Sequence, residues 1–211
     1  MDLKWLGHAS WKIKTGGMTI YVDPYEGEMD EPADLILASH SHFDHCKPDA
    51  VKKVLSAKTI IVAPADCAQK VNAKVKSLKP GEKASFGGVE VEAVEAYNVK
   101  RFRSPGVPFH PKGLGVGYLI RAEGKTVYHT GDTEFVPELK SLKDIDVIFI
   151  VTGGTYTMDN EEAVEMTLAI KPKVAFPVHF WDTDPTIYKK NVESKSSTKV
   201  IILKPNDIYT L

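Results

Sequence analysis

One short stretch restricts what this chain can become more than any other. Leu35, Ile36, Leu37 and Ala38 form an apolar run that leads directly into Ser39, His40, Ser41, His42, Phe43, Asp44 and His45. A buried strand that ends on three imidazoles and a carboxylate asks for a scaffold whose strand ends share one rim. Alternate residues of an extended backbone face the same way, so His40 and His42 are expected to converge on one metal ion. Asp44 and His45, on the loop just beyond, are expected to reach a second ion beside it. An ordinary solvated turn is built from Gly, Asn, Asp and Ser instead. The whole chain has only seven histidines in 211 residues, and their crowding here reads as a metal site.

The rest of the chain supports a scaffold of that kind. Short strands are expected at Leu3–Leu6, Trp11–Thr15 and Thr19–Val22, with Gly16 and Gly17 as a hairpin turn. Asp23-Pro24 ends the third strand, because proline cannot donate to a ladder. Helical spacing follows over Pro48–Leu55, then a β-branched strand at Thr59–Val62 and a short helix at Pro64–Lys70. Strands at Lys83–Phe86 and Val89–Tyr97 precede an irregular segment, 98–113. A hairpin of Gly115–Ala122 and Lys125–Thr130 turns on Glu123-Gly124. A helix at Glu134–Leu142, an apolar strand at Val147–Val151 and a helix to Ile170 opened by the pair Asp159 and Glu162 come next. Val174–Pro177, a helix near Thr186–Val192 and a strand at Val200–Leu203 complete the reading. Strands followed by interspersed helices predict an α/β (α+β) chain with two sheets packed together and helices outside. No repeat or linker divides it, so residues 1–211 are expected to form one domain.

Composition narrows the function classes. A formal net charge of −1 gives no general attraction to nucleic acid or anionic membranes. Cys46 and Cys67 are too few for a disulfide framework, which suits a reducing compartment. The first residues lack a basic region followed by an apolar run, and no apolar stretch is long enough to span a bilayer. A cytoplasmic location is the expectation, and a homo-oligomer is compatible with the sequence.

Three further apolar runs deliver ligand-type residues. Thr126–His129 leads through Gly131 to Asp132, Val174–Val178 ends on His179, and Val94–Tyr97 ends on Asn98. Four ligands within six residues cannot enclose two ions alone, so Asp132 and His179 are the expected partners. Taken together, His40-Ser-His42-Phe-Asp44-His45, Gly131-Asp132-Thr133 and Pro177-Val178-His179 resemble the motifs of a metallo-β-lactamase-fold hydrolase. More narrowly, Leu6–Ser10, Tyr21–Pro24, Lys79–Glu82 and Tyr128–Thr133 resemble the branch that includes ascorbate-6-phosphate lactonase.

The resemblance implies a four-layer αββα sandwich with two mixed sheets face to face. It also implies two divalent ions, zinc first with manganese or iron as alternatives. His40 and His42 would hold the first ion, Asp44 and His45 the second, with Asp132 bridging both and His179 completing the second site. The chain departs from the family where a third histidine should end Val89–Tyr97, because Asn98 stands there. An amide is a poorer ligand than imidazole for a borderline metal. Either Asn98 binds weakly, or His110 swings in from the 98–113 segment, or the first position is empty or takes a harder ion.

The expected reaction is hydrolysis by a water made acidic between the ions, with Asp44 as the residue that orients it. His8 and Asp23 are candidates for supporting the ligands or lining the rim. Lys100, Arg101, Arg103, His110 and Lys112 give the irregular segment a cationic character. Asn98, Arg101, Arg103 and Lys112 therefore stand as expected contacts to a small anionic ester, lactone or phosphoester. Two other readings share the fold: a metal-binding or sensing protein with little turnover, which Asn98 admits, and a di-iron oxidoreductase. The latter replaces parts of the histidine motif with carboxylates, which this chain does not.

Overall fold

Alternating apolar side chains decide which layer each strand serves. Within Met18–Val22, Ile20 and Val22 enter one apolar cluster while Tyr21 between them enters another. Leu35 and Leu37 repeat that division against Ile36, and Val62 repeats it against Ile61. Successive strand residues leave opposite faces of a sheet, so strands apolar on both faces must be covered on both.

The computed structural model describes residues 1–211. Its strands are β1 (Asp2–Gly7), β2 (Ser10–Thr15), β3 (Met18–Val22), β4 (Leu35–Leu37), β5 (Ile60–Val62), β6 (Lys83–Phe86), β7 (Val89–Ala96), β8 (Phe102–Ser104) and β9 (Val107–Pro108). The later ones are β10 (Gly115–Ala122), β11 (Lys125–His129), β12 (Val147–Val151), β13 (Val174–Val178), β14 (Lys199–Val200) and β15 (Ile208–Thr210). The helices are α1 (Pro48–Val54), α2 (Cys67–Val71), α3 (Asn160–Ile170) and α4 (Pro185–Glu193). The first sheet runs β15-β1-β2-β3-β4-β5 and the second β14-β13-β12-β11-β10-β7-β6, both mixed.

Trp11 of β2 stacks on Phe149 of β12 with ring centroids 3.7 Å apart and planes 5° from parallel, joining the two sheets. Phe176 of β13 closes on the same indole edge-on at 5.3 Å. Residues of α1 and α2 share a smaller apolar cluster with the outward face of the first sheet. Those of α3 and α4 pack with the second sheet. The result is the expected αββα arrangement. No helix is long and apolar enough to cross a membrane.

Local chemistry explains the details. Glu123 and Gly124 both take positive φ (53° and 70°), the geometry that a two-residue hairpin between β10 and β11 requires. Pro177 sits inside β13 without breaking a ladder, because β14 pairs only with Val174 and Ala175 and ends before it. Asp159 caps α3 by accepting from the Glu162 N–H at 2.9 Å. Glu162 does not return the bond, its carboxylate being held by Arg101 at 2.6 Å.

Four expectations change. The 98–113 segment is not irregular throughout but contains the β8–β9 hairpin, turned at Gly106 (φ 74°). The helix over Glu134–Leu142 shrinks to a 3-10 turn at Pro137–Ser141. Glu134 is instead occupied in accepting from three backbone N–H groups of the 98–113 segment. The last interior strand covers only Lys199–Val200, and β15 pairs with β1 where no strand was expected.

Candidate metal centre

The rim forms where parallel strands end. β4 leads through Ala38 to Ser39 and His40, β11 ends on His129 three residues before Asp132, and β13 ends one residue before His179. The backbone between Ser39 and His45 is not extended, as expected for His40 and His42, but curled. His45 and Cys46 both donate their N–H to the His42 carbonyl, at 3.2 and 3.0 Å. Curling brings His40 Nε2 within 3.0 Å of His42 Nδ1. Gly131 makes room for this packing: a Cβ there would lie 2.8 Å from the Val116 carbonyl and 3.1 Å from Ser39 Cβ, and its φ is 59°.

Side chains from five places then meet. His40, His42 and His110 form one group close enough to hold an ion, and His8, Asp44, His45 and His179 form another. Asp132 lies between them, with Oδ2 at 3.2 Å from His110 Nε2 and 3.4 Å from His179 Nε2, and Oδ1 at 3.3 Å from His45 Nε2. His8 enters the second group directly, with Nε2 3.1 Å from Asp44 Oδ2 and its ring centroid 4.0 Å from that of His179. Asp23 lies underneath, fully buried, 2.7 Å from His45 Nδ1.

Asn98 faces away from the ion positions. Its Oδ1 accepts from the His110 backbone N–H and from Nδ1, each at 2.8 Å, while its amide donates to Glu134 and to the Tyr156 carbonyl. The amide thus fixes the tautomer of His110 and turns its Nε2 toward His42, 3.2 Å away. An imidazole from the loop thus stands beside His40 and His42, with Asn98 as its support.

Electrostatics follow from burial and crowding. Burial and then the neighbouring His110 push His42 down to about 4. Burial and His45 hold His40 well below its ordinary value. Burial would lower His45 too, but the carboxylates of Asp132 and Asp23 outweigh it and raise this imidazole well above normal. His179 is raised to about 9, where burial is overcome by Asp132 and Asp44. Asp132 and Asp44, which burial alone would raise, are lowered by the surrounding imidazoles.

The donor set fits a metal. His45 Nε2, His179 Nε2 and Asp132 Oδ1 are all buried without a hydrogen-bond partner, and imidazole with carboxylate suits zinc, manganese or iron. Four non-glycine residues around the rim hold left-handed backbone: His8 (φ 49°), Asp23 (φ 43°), His179 (φ 50°) and Trp181 (φ 44°). Such strain persists only where surrounding structure enforces it, and it gathers at sites that act.

A cleft of about 540 Å³ opens on the cluster. Phe43, Phe109, Tyr156 and Trp181 line it with Arg103 and Asp182. The other cations of the 98–113 segment point elsewhere. Arg101 is bound by Glu162, Asp159 and Glu134 at 2.6, 3.0 and 3.2 Å. Lys112 lies between Glu138 and Glu95, and Lys100 reaches Glu162. Arg101, Lys112 and Asn98 therefore lie outside this cleft, each drawn off by partners distant in sequence. Sequence reasoning missed Ser39, His129 and Trp181. A signal existed for His129, the one histidine of seven left without a role.

Comparison with known proteins agrees with this geometry. The chain belongs to the β-lactamase superfamily domain family, whose sequence profile matches residues 2–179. It is 30% identical over its full length to a metal-dependent hydrolase of Pelotomaculum thermopropionicum, which it also covers completely. A metal-dependent hydrolase of Pyrococcus abyssi is 31% identical, with 98% of each chain covered. Among solved structures, a protein of Parabacteroides distasonis named as a metal-dependent hydrolase superposes with a TM-score of 0.88. It shares 33% identity over 95% of this chain and 91% of that one. The narrower ascorbate-6-phosphate lactonase branch is not confirmed by these relatives.

Proposed function

We propose that this chain is a metal-dependent hydrolase that holds two divalent ions, zinc first among them, and cleaves a small anionic ester, lactone or phosphoester. The observation that carries the reading is the set of buried ligand atoms without a hydrogen bond, His179 Nε2 and Asp132 Oδ1 on residues that line an open cleft and His45 Nε2 just behind them. Leaving such atoms unsatisfied is costly, and an ion satisfies all of them at once. Divalent ions bound there would supply Lewis acidity, making a water acidic near neutral pH and polarising the scissile carbonyl or phosphoryl oxygen.

The residues divide the remaining work. His40, His42 and His110 would hold one ion, His8 or Asp44 with His45 and His179 the other, and Asp132 would touch both. Asp44 reaches the cleft, and its Oδ2 already accepts from His8. It is the carboxylate placed to take a proton from the attacking water, with His8 as the group that steadies it. Phe43, Phe109, Tyr156 and Trp181 exclude water from the non-reacting part of the substrate, and Arg103 is the cation left to meet its negative charge.

The test is metal analysis joined to a panel of lactones, carboxylic esters and phosphodiesters. Two equivalents of metal are expected, with turnover of an anionic member that stops on chelation and returns on adding zinc or manganese. Stoichiometric metal without turnover across the panel would favour a binding or sensing role.

A further inference from the structure

His129 takes no part in the rim, yet it is fully buried directly beneath it. Its Nε2 lies 2.7 Å from Asp23 Oδ2. The same oxygen accepts from His45 Nδ1 at 2.7 Å and from Ser39 Oγ at 2.7 Å, while Asp23 Oδ1 accepts from the Ser39 N–H at 2.6 Å. The Ser39 hydroxyl has one proton, and Asp23 takes it. Toward His40 Nδ1, 2.9 Å away, Ser39 Oγ can therefore only accept.

Two tautomers follow. His45 keeps its proton on Nδ1 for Asp23, and His40 keeps its proton on Nδ1 for Ser39, so both present Nε2 to the rim. His45 stands with His8, Asp44 and His179, His40 stands with His42 and His110, and the two meet in a third group around Asp132. A single carboxylate thus sets an imidazole in each group.

We propose that His129 is a positioning residue for both ion positions at once: it holds Asp23, and through Asp23 it orients His45 directly and His40 by way of Ser39. A histidine that merely filled the core would be a poor choice here. Its Nδ1 is buried without a partner, and the Phe149 ring lies nearby at 6.3 Å, so an apolar ring would avoid burying that nitrogen unpaired. The hydrogen bond to Asp23 is what only a donor can supply. This inference rests on the metal reading above.

The experiment measures zinc affinity at both positions by competition with a chromophoric chelator, alongside thermal denaturation of the metal-free protein. It compares wild type with His129→Phe, His129→Gln and Ser39→Ala. His129→Phe is expected to weaken both equivalents, each by about tenfold or more. His129→Gln retains an N–H for Asp23 and should restore both affinities. Ser39→Ala should weaken one equivalent only. Where His129→Phe does not fold, His129→Asn, too short to reach Asp23, carries the same expectation.

A lowered denaturation midpoint with both affinities unchanged would reduce His129 to packing and overturn the proposal. Weakening of a single equivalent in His129→Phe would overturn the shared route through Ser39. Wild-type protein that takes up no zinc would bring down the metal reading itself, and this inference with it. Failure of the variants alone leaves that reading standing.

Discussion

Two buried clusters of charge lie side by side in this molecule, and they are built on opposite rules. Around Arg101, three carboxylates converge on one guanidinium. Glu134, with no exposed surface, also accepts from the backbone N–H groups of Val99, Lys100 and Arg101 at 2.8–2.9 Å. Around Asp132, four imidazoles approach within 3.9 Å, yet Asp132 Oδ1 and the Nε2 atoms of His45 and His179 have no hydrogen-bond partner. The first cluster is complete in itself and fastens the 98–113 segment to α3. The second is complete only with something added. Crowded charge is thus not by itself the mark of a site; unsatisfied charge on the wall of a cleft is.

The sharpest way to break this contrast is Asp132→Ala, or His42→Ala beside it. Each is expected to abolish metal-dependent turnover while the circular dichroism spectrum stays that of wild type. Wild-type turnover in either variant would remove the ligand assignment. Next in size, Arg101→Met removes the guanidinium that Glu134, Asp159 and Glu162 share and should lower stability by about 3 kcal/mol, read as a fall in the urea midpoint, with metal stoichiometry of the folded protein unchanged. An unmoved midpoint would mean that the first cluster fastens nothing.

His110→Ala should then cost one metal equivalent of two, and unchanged occupancy of both positions would exclude His110 as a ligand. The smallest effect is reserved for Arg103→Gln. It should raise KM for an anionic substrate by about tenfold, the size of one charged hydrogen bond, and leave a neutral analogue alone. Equal effects on both would take Arg103 out of substrate recognition.

Much of the fold was legible because strands announce themselves by alternation. Ile20, Tyr21 and Val22 divide between two layers in the way their spacing implies. The clustering at the rim was legible where the residues are neighbours in sequence or stand at strand ends, as with His40–His45, Asp132 and His179. Long-range pairing was not legible. That Arg101 and Lys112 are held by acids at 134, 138, 159 and 162 follows from which loops meet, a fact with no local signature. The backbone at His40–His42 was misread as extended, since glycine at 131 and 115, far along the chain, creates the room for its curl. β15 escaped notice because three residues are too few to show a period. Which of Asn98 and His110 faces His42 was open until the hairpin between them supplied the turn.

The Trp11–Phe149 stack has a consequence beyond cohesion. His8 and the 40–45 motif ride on one sheet, Asp132 and His179 on the other, and face-packed sheets stand about 10 Å apart. The gap across which the reactive groups confront one another is therefore inherited from the filler below, like the jaws of a caliper set by its spacer. Interiors this dense pass on changes of a single methylene, so Trp11→Leu is expected to alter turnover without touching a ligand. Unaltered turnover at full metal occupancy would place the spacer elsewhere. Divergence in substrate preference among such proteins can then begin in the hydrocarbon under the floor of the active site, not only in the loops around its mouth.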